Sequence, residues 1–201
     1  MDNILLSLVT FAFATSITPG PNNMMLLASG VNFGFARSGP HMLGISLGHA
    51  LMVFLVGLGL AGVFAAEPRL ATALKTAAVG YMLWLAWKIA TAAPPREGQV
   101  GGRPFTFVQA AAFQWVNPKA WAMALTATTV YAPGTGWGAM AVVAAVFAAV
   151  NLPSVAVWAA IGQGLPQWLA VPARLRVFNA VMAVLLVASL WPVLRTGALP
   201  Q

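Results

Sequence analysis

The chain has 201 residues, 60% of them hydrophobic and 6% charged, with a formal charge of +7. Soluble domains carry roughly 25% charged residues, and ten basic plus three acidic side chains cannot clothe a water-facing surface of this size. Composition therefore excludes a soluble globular fold and selects lipid, the solvent in which an apolar exterior carries no penalty. The basic residues stand singly between apolar runs, so they bear on orientation in a membrane and not on nucleic acid. The chain contains no cysteine, which removes disulfides, thiol catalysis and Cys-ligated metals.

Six stretches approach the roughly 20 mostly apolar residues that cross a bilayer. The first runs from Ile4 to about Ser29, interrupted at Thr18–Asn23. Because Met1-Asp2-Asn3 lacks the basic region of a cleavable signal, this run is expected to be a retained helix. The second runs from Leu43 to Ala65 and the third from Leu74 to Ala92. Pro94–Pro104 then reads as a flexible linker. The fourth stretch runs from Phe105 to Tyr131, interrupted at Asn117–Lys119. The fifth, Trp137–Ile161, contains Asn151 and Pro153, read as a third break with an amide beside it. The sixth runs from Phe178 to Leu194.

The linker leaves three helices on each side. Each half opens with a long apolar helix broken by proline next to asparagine, first Pro19 and Pro21 with Asn22 and Asn23, then Pro118 with Asn117. An odd number of helices per half makes the second half enter the membrane from the opposite face. The spacing thus predicts an all-α polytopic membrane protein, one domain over 1–201, built of two inverted three-helix repeats (1–93 and 105–201) joined by residues 94–104. Arg37, Lys88, Arg96, Arg103, Arg174 and Arg176 follow the odd-numbered helices, against Arg69, Lys75 and Arg195 on the other side. That excess predicts cytoplasmic odd-numbered loops and both termini outside.

Pro19 and Pro21 lack an N–H and free the carbonyls of Thr15 and Ile17, while Gly20 lets the backbone turn. Asn22 or Asn23 is expected to cap a new half-helix, whose N-terminal partial positive charge would suit an amino acid's carboxylate. Pro118 frees the carbonyl of Gln114. Lys119 lies midway along its apolar stretch, where a cation costs at least ~2.5 kcal/mol and is expected to face a cavity or a partner. It lines a substrate path, donates to the carbonyls of the broken first helix, or does both.

Gly44-x-x-x-Gly48 permits close helix contact and precedes His49, which is either a proton relay or a neutral histidine bonded at a helix contact. Asn151, Gln109 and Gln114 line a cavity or join helices, and Pro153 is assigned to packing with Gly44 and Gly48. Gly57-x-Gly59-x-x-Gly62 sits in an apolar helix with no preceding strand and reads as helix packing, not a dinucleotide loop. Trp84, Trp87, Trp158, Trp168 and Trp191 are expected at the membrane interface or in packing, with Lys88 snorkelling. No metal site, cofactor or catalytic triad is indicated, and Asp2, Glu67 and Glu97 all lie outside the apolar stretches.

These motifs, Ile17-Thr18-Pro19-Gly20-Pro21-Asn22-Asn23, Gly44-x-x-x-Gly48, Tyr81–Lys88 and Val116-Asn117-Pro118-Lys119, together resemble the lysine-exporter (LysE/RhtB) family of amino-acid efflux proteins over nearly the whole chain. Trp84–Thr91 and Phe107–Trp121 are similar to the subgroup that exports cysteine and O-acetylserine. The resemblance implies a six-helix exporter of the bacterial cytoplasmic membrane, driven by protons. It places substrate-binding roles on Pro19, Gly20, Pro21, Asn22, Asn23, Asn117, Pro118 and Lys119. Many relatives carry an acidic residue where this chain has His49, a departure that favours a small neutral amino acid over a basic one.

The resulting expectation is a secondary transporter whose substrate lies between the two broken helices, its carboxylate on the half-helix N-termini and Lys119, its ammonium on the freed carbonyls. His49 and Lys119 are the groups able to couple protons, since the apolar stretches contain no carboxylate. Partners would be the amino acid, protons and lipid, with a homo-oligomer left open. A non-transporting scaffold is the competing reading. A thiol carrier lacks its cysteines, and a hydrolase lacks an acid–base pair.

Overall fold

The computed structural model describes residues 2–91 and 103–191, and every described regular element is helical. In order they are α1 (Asp2–Ile17), α2 (Pro21–Phe33), a 3₁₀ turn (Ala36–Ser38), α3 (Gly39–Leu55), a π segment (Val56–Leu60), α4 (Ala61–Ala66) and α5 (Pro68–Ala90). After the linker come α6 (Phe107–Phe113), a 3₁₀ turn (Gln114–Val116), α7 (Pro118–Val130), α8 (Trp137–Gly164), α9 (Pro166–Leu169) and α10 (Pro172–Ala188). Most of the expected linker 94–104, and the end of the sixth stretch, lie outside the described residues.

The chain is an all-α polytopic membrane protein. Leu6, Val108 and Trp137 are 67%, 72% and 74% exposed, an apolar exterior that only lipid solvates well. Among the described residues, Ala36–Phe64 and Trp137–Gly164 are each long and apolar enough to cross a membrane alone. Asn3–Ile17 and Pro21–Phe33 reach that measure as a pair, bent by 54°. The other three expected stretches do not reach it as single helices. Lys75 and the threonines dilute α5, the fourth stretch is divided between α6 and α7, and α10 has 17 residues.

The two long apolar spans, one containing α3 and the other formed by α8, pack against each other. Each broken helix packs on the long helix of the other half: α1 and α2 lie along α8, while α6 and α7 lie along α3. The third helices, α5 and α10, pair with each other. Lipid tails are as apolar as leucine, so helices associate here by close van der Waals contact, which small residues allow. A Cβ on Gly44 would meet the Phe107 carbonyl, and one on Gly48 would meet Ala111, so both expected packing glycines seat α6 on α3. The α2–α8 crossing uses a second pair absent from the sequence reading: Gly30 faces the Ala159 carbonyl and Gly162 faces the Leu27 carbonyl.

Two expectations need correction. Pro153 neither breaks its helix nor packs in the interior: α8 runs unbroken from Trp137 to Gly164, and Pro153 is exposed on its outer face. The ring clash it creates is absorbed within a long helix held on its opposite face by Asn151, Ser154 and Val155, all buried. The glycines of Gly57-x-Gly59-x-x-Gly62 also divide their work. Only Gly57 packs, under Met140 and Thr128, while Gly59 adopts φ +110° in the π segment and Gly62 has open space.

Gly162→Ala is expected to force α2 and α8 apart, because the new methyl meets backbone and not a movable side chain. The cost should be about 1–3 kcal/mol, read as a lower melting temperature of the detergent-solubilised protein. Gly62→Ala should leave that temperature within the scatter or raise it slightly.

Candidate functional site

In the break between α1 and α2 every carbonyl freed by proline has found a donor. Thr15 O accepts from Thr18 Oγ1 at 3.0 Å, and Ile17 O accepts from Trp158 Nε1 of α8 at 3.0 Å. Asn23 Nδ2 donates to Ser16 O at 2.8 Å and Thr18 O at 2.7 Å. Lys119 Nζ supplies the rest, donating to Thr18 O at 2.8 Å, Thr18 Oγ1 at 2.9 Å and Pro19 O at 3.3 Å.

This corrects the expected capping. Gly20, extended at φ −178°, is the N-cap of α2 with Pro21 at its first position, and the cap has no side-chain hydrogen bond. Asn23 is turned back to hold the break closed, and Asn22 points across to the second half. Pro21 brings no N–H, so the first helical bond runs from Met24 N to Gly20 O at 2.9 Å, leaving the Asn22 and Asn23 N–H groups in the first turn outside the α2 ladder. Gly20 is needed for room: a Cβ there would sit 2.8 Å from Lys119 Cδ.

In the second break, the 3₁₀ turn brings Asn117 N to the freed Gln114 carbonyl at 3.2 Å. Asn117 then caps α7, its Oδ1 accepting from Lys119 N at 3.1 Å, with Pro118 in the first position. Pro118 is buried behind the cap and Pro19 is exposed, its carbonyl turned to Lys119 Nζ; both shape the backbone. The two breaks are joined by a reciprocal amide pair. Asn22 Nδ2 donates to Gln114 Oε1 at 2.9 Å, Gln114 Nε2 returns to Asn22 Oδ1 at 3.1 Å, and Gln114 is fully buried. Gln109 has a purely local task, closing a capping box with Thr106 at the start of α6.

A cavity of about 20 Å³ lies where the breaks meet. Gly20, Pro21, Asn22, Asn23, Asn117, Lys119, Asn151 and His49 line it, with Ser16 and Thr15. Its volume suits one water and not an amino acid, so this conformation leaves no room for a substrate. His49 is buried, packs edge-on to Phe147 with ring centroids 5.1 Å apart, and has neither ring nitrogen hydrogen-bonded. Ser16 Oγ is likewise unpartnered. Among the described residues the Asn151 amide also has no hydrogen-bond partner, although the residue is only 3% exposed. Among the described residues no carboxylate lines the cavity.

The sequence thus places most lining residues, and misses two participants. Gln114 joins helices, one of the two roles its sequence position leaves open. Trp158 was read as interfacial or packing, yet its indole reaches into the break. Trp84, Trp87 and Trp168 are about half-exposed, and Lys88 Nζ lies 5.6 Å over the Trp84 ring. Ser16 carried no signal.

Helices broken in pairs, joined to each other and closing round a half-buried ammonium and unpartnered polar groups, define a membrane transporter. The chain belongs to the LysE-type translocator family, whose model matches residues 13–189. It is 38% identical over 133 residues to a cysteine/O-acetylserine efflux protein of Shigella flexneri serotype 5b (strain 8401), covering 65% of this chain and 67% of that protein. It is 37% identical over 123 residues to the protein of the same description in Escherichia coli (strain K12), covering 61% of this chain and 62% of that one. No solved structure matches the chain.

Replacing Asn22 or Gln114 by Leu should each destabilise the protein by about 1–3 kcal/mol, because each strands the other's buried amide. The double variant should cost less than the sum of the two, and a double-mutant cycle on melting in detergent reads that coupling.

Proposed function

We propose that this protein exports small neutral amino acids, of the size and charge of cysteine or O-acetylserine, across a bacterial cytoplasmic membrane. The observation that carries this reading is the junction of two helix breaks around Lys119. Such a junction brings unpaired N–H groups and amides to one small cavity, with backbone oxygens beside it at Lys119 Nζ, the inventory a zwitterion requires. The printed function of the two bacterial relatives supplies the substrate class.

In this reading the protein has six spans arranged as two inverted repeats, 1–93 and 105–201, with 94–104 between them. The exchanged packing of the broken helices, each against the other half's long helix, supports that arrangement. Alternating access rocks one bundle of helices against the other about the fixed site, with α2 and α8 moving together. The substrate's carboxylate meets the N–H groups at the starts of α2 and α7, where helix dipoles favour negative charge. Asn151 holds a polar atom of the substrate through its unpartnered amide. His49, buried beside the site with free ring nitrogens, carries the coupled proton. The odd-numbered loops face the cytoplasm and both termini lie outside. Reporter fusions at Gln201 and within Glu97–Gly102 read that orientation.

A scaffold would gain nothing from an ammonium held on unwound backbone, so transport is favoured over it. Counterflow of labelled cysteine and O-acetylserine in proteoliposomes is the direct test; no exchange of any amino acid in a panel would leave the scaffold reading standing. Asn151→Ala is expected to lose about one hydrogen bond to the substrate, raising its half-saturation concentration about two- to tenfold. In His49→Gln, the stimulation of transport by an imposed pH gradient should disappear. If the stimulation survives at wild-type size, the proton is carried elsewhere.

A further inference from the structure

Thr18 O, Thr18 Oγ1 and Pro19 O converge on one nitrogen at 2.8, 2.9 and 3.3 Å, the three acceptors that a primary ammonium's three N–H groups require. The nitrogen they hold is the protein's own, on a side chain anchored at the first turn of α7, 100 residues away from Pro19. Gly20 supplies the notch in which that side chain lies. With Lys119 in place, what remains of the pocket holds about one water.

We propose that this cradle is the substrate's ammonium site, and that Lys119 is a tethered stand-in which occupies it whenever the carrier is empty. The inference rests on the reading of the chain as an amino-acid carrier and assigns a step within its cycle. The α-ammonium of an amino acid presents the same three donors as Nζ. Binding is then an exchange of one ammonium for another on the same oxygens, and it vacates the space that the lysine stem fills.

The physical reason for such a device lies in the return of the empty carrier. Pro19 O has no donor but Lys119 Nζ among the described residues, whereas Thr18 O has Asn23 Nδ2 as well, and a backbone oxygen left without a donor in a lipid-surrounded break is costly. A carrier that has released its substrate outside must close again with the cradle empty. Lys119 folds down onto it and makes that closed form accessible. Without the lysine, the loaded carrier still closes, because the substrate satisfies the cradle, whereas the unloaded carrier does not.

Two transport modes separate these states. Exchange of internal for external amino acid needs only the loaded carrier to cross, while net efflux needs the empty one to return. In proteoliposomes, Lys119→Ala should therefore lose net efflux about tenfold or more and keep measurable exchange, so that the ratio of net efflux to exchange collapses relative to wild type. Gly20→Ala, whose methyl displaces the Lys119 stem, should lower the same ratio less. Amino-acid analogues lacking the ammonium, such as the corresponding α-hydroxy acids, should exchange in neither protein.

A second measurement does not depend on transport. Ethylammonium chloride should raise the melting temperature of detergent-solubilised Lys119→Ala protein above that in matched sodium chloride, and leave wild type unmoved, because its cradle is already filled. The inference is overturned if Lys119→Ala loses exchange and net efflux in equal proportion, if it keeps both, or if ethylammonium stabilises wild type and variant alike. Absence of exchange in wild type would instead remove the carrier reading itself, while the ethylammonium result would still report on the cradle.

Discussion

A peptide carbonyl that leaves a helix inside a membrane protein must find another donor, since hydrocarbon offers none. The region around Thr18 is organised by that demand. Two prolines and the turn between the helices leave backbone oxygens without helical donors, and donors arrive from four places in the chain: a threonine in the break itself, Asn23 one turn on, Trp158 from α8 and Lys119 from α7. The helix break thereby fixes the relative positions of α1, α2, α7 and α8. Packing alone would leave more freedom, because lipid competes on nearly equal terms for every apolar contact.

The second break obeys the same demand by a shorter route. Gln114 O is taken by Asn117 N within one 3₁₀ turn, and Asn117 then caps α7. Its side-chain resources are therefore free to act at a distance, and Gln114 uses them to hold Asn22. One break is repaired by its neighbours, while the other is repaired locally and lends donors outward. That asymmetry explains why Lys119 belongs to α7 by sequence and to the first break by contact.

The breaks were legible in the sequence because proline acts through covalent geometry: a missing N–H interrupts the ladder whatever surrounds it. Lys119 was legible because a cation in an apolar run demands a partner. The partners themselves were not. Whether an asparagine next to a break caps forward, as Asn117 does, or folds back, as Asn23 does, depends on which carbonyls lie unfilled nearby. That is settled by helices more than a hundred residues distant, as with Trp158 and Ile17. Pro153 shows the converse error. The same covalent argument predicts a break, but one proline on the outer face of a 28-residue helix is too small a perturbation to end it. Gly44 and Gly48 stood out by their spacing, whereas Gly30 and Gly162 meet across two different helices and leave no periodic trace.

That last pair constrains how the molecule can deform. Where Gly30 and Gly162 lie backbone to backbone, sliding by even a fraction of a turn would drive neighbouring side chains into the opposite main chain. The seam between α2 and α8 is thus a weld, and the half-helix that begins at Pro21 travels with the long helix of the other half as one piece. A hinge has to be sought elsewhere, and the π segment at Val56–Leu60, with its glycine at φ +110°, is where the span Ala36–Phe64 departs from helical geometry.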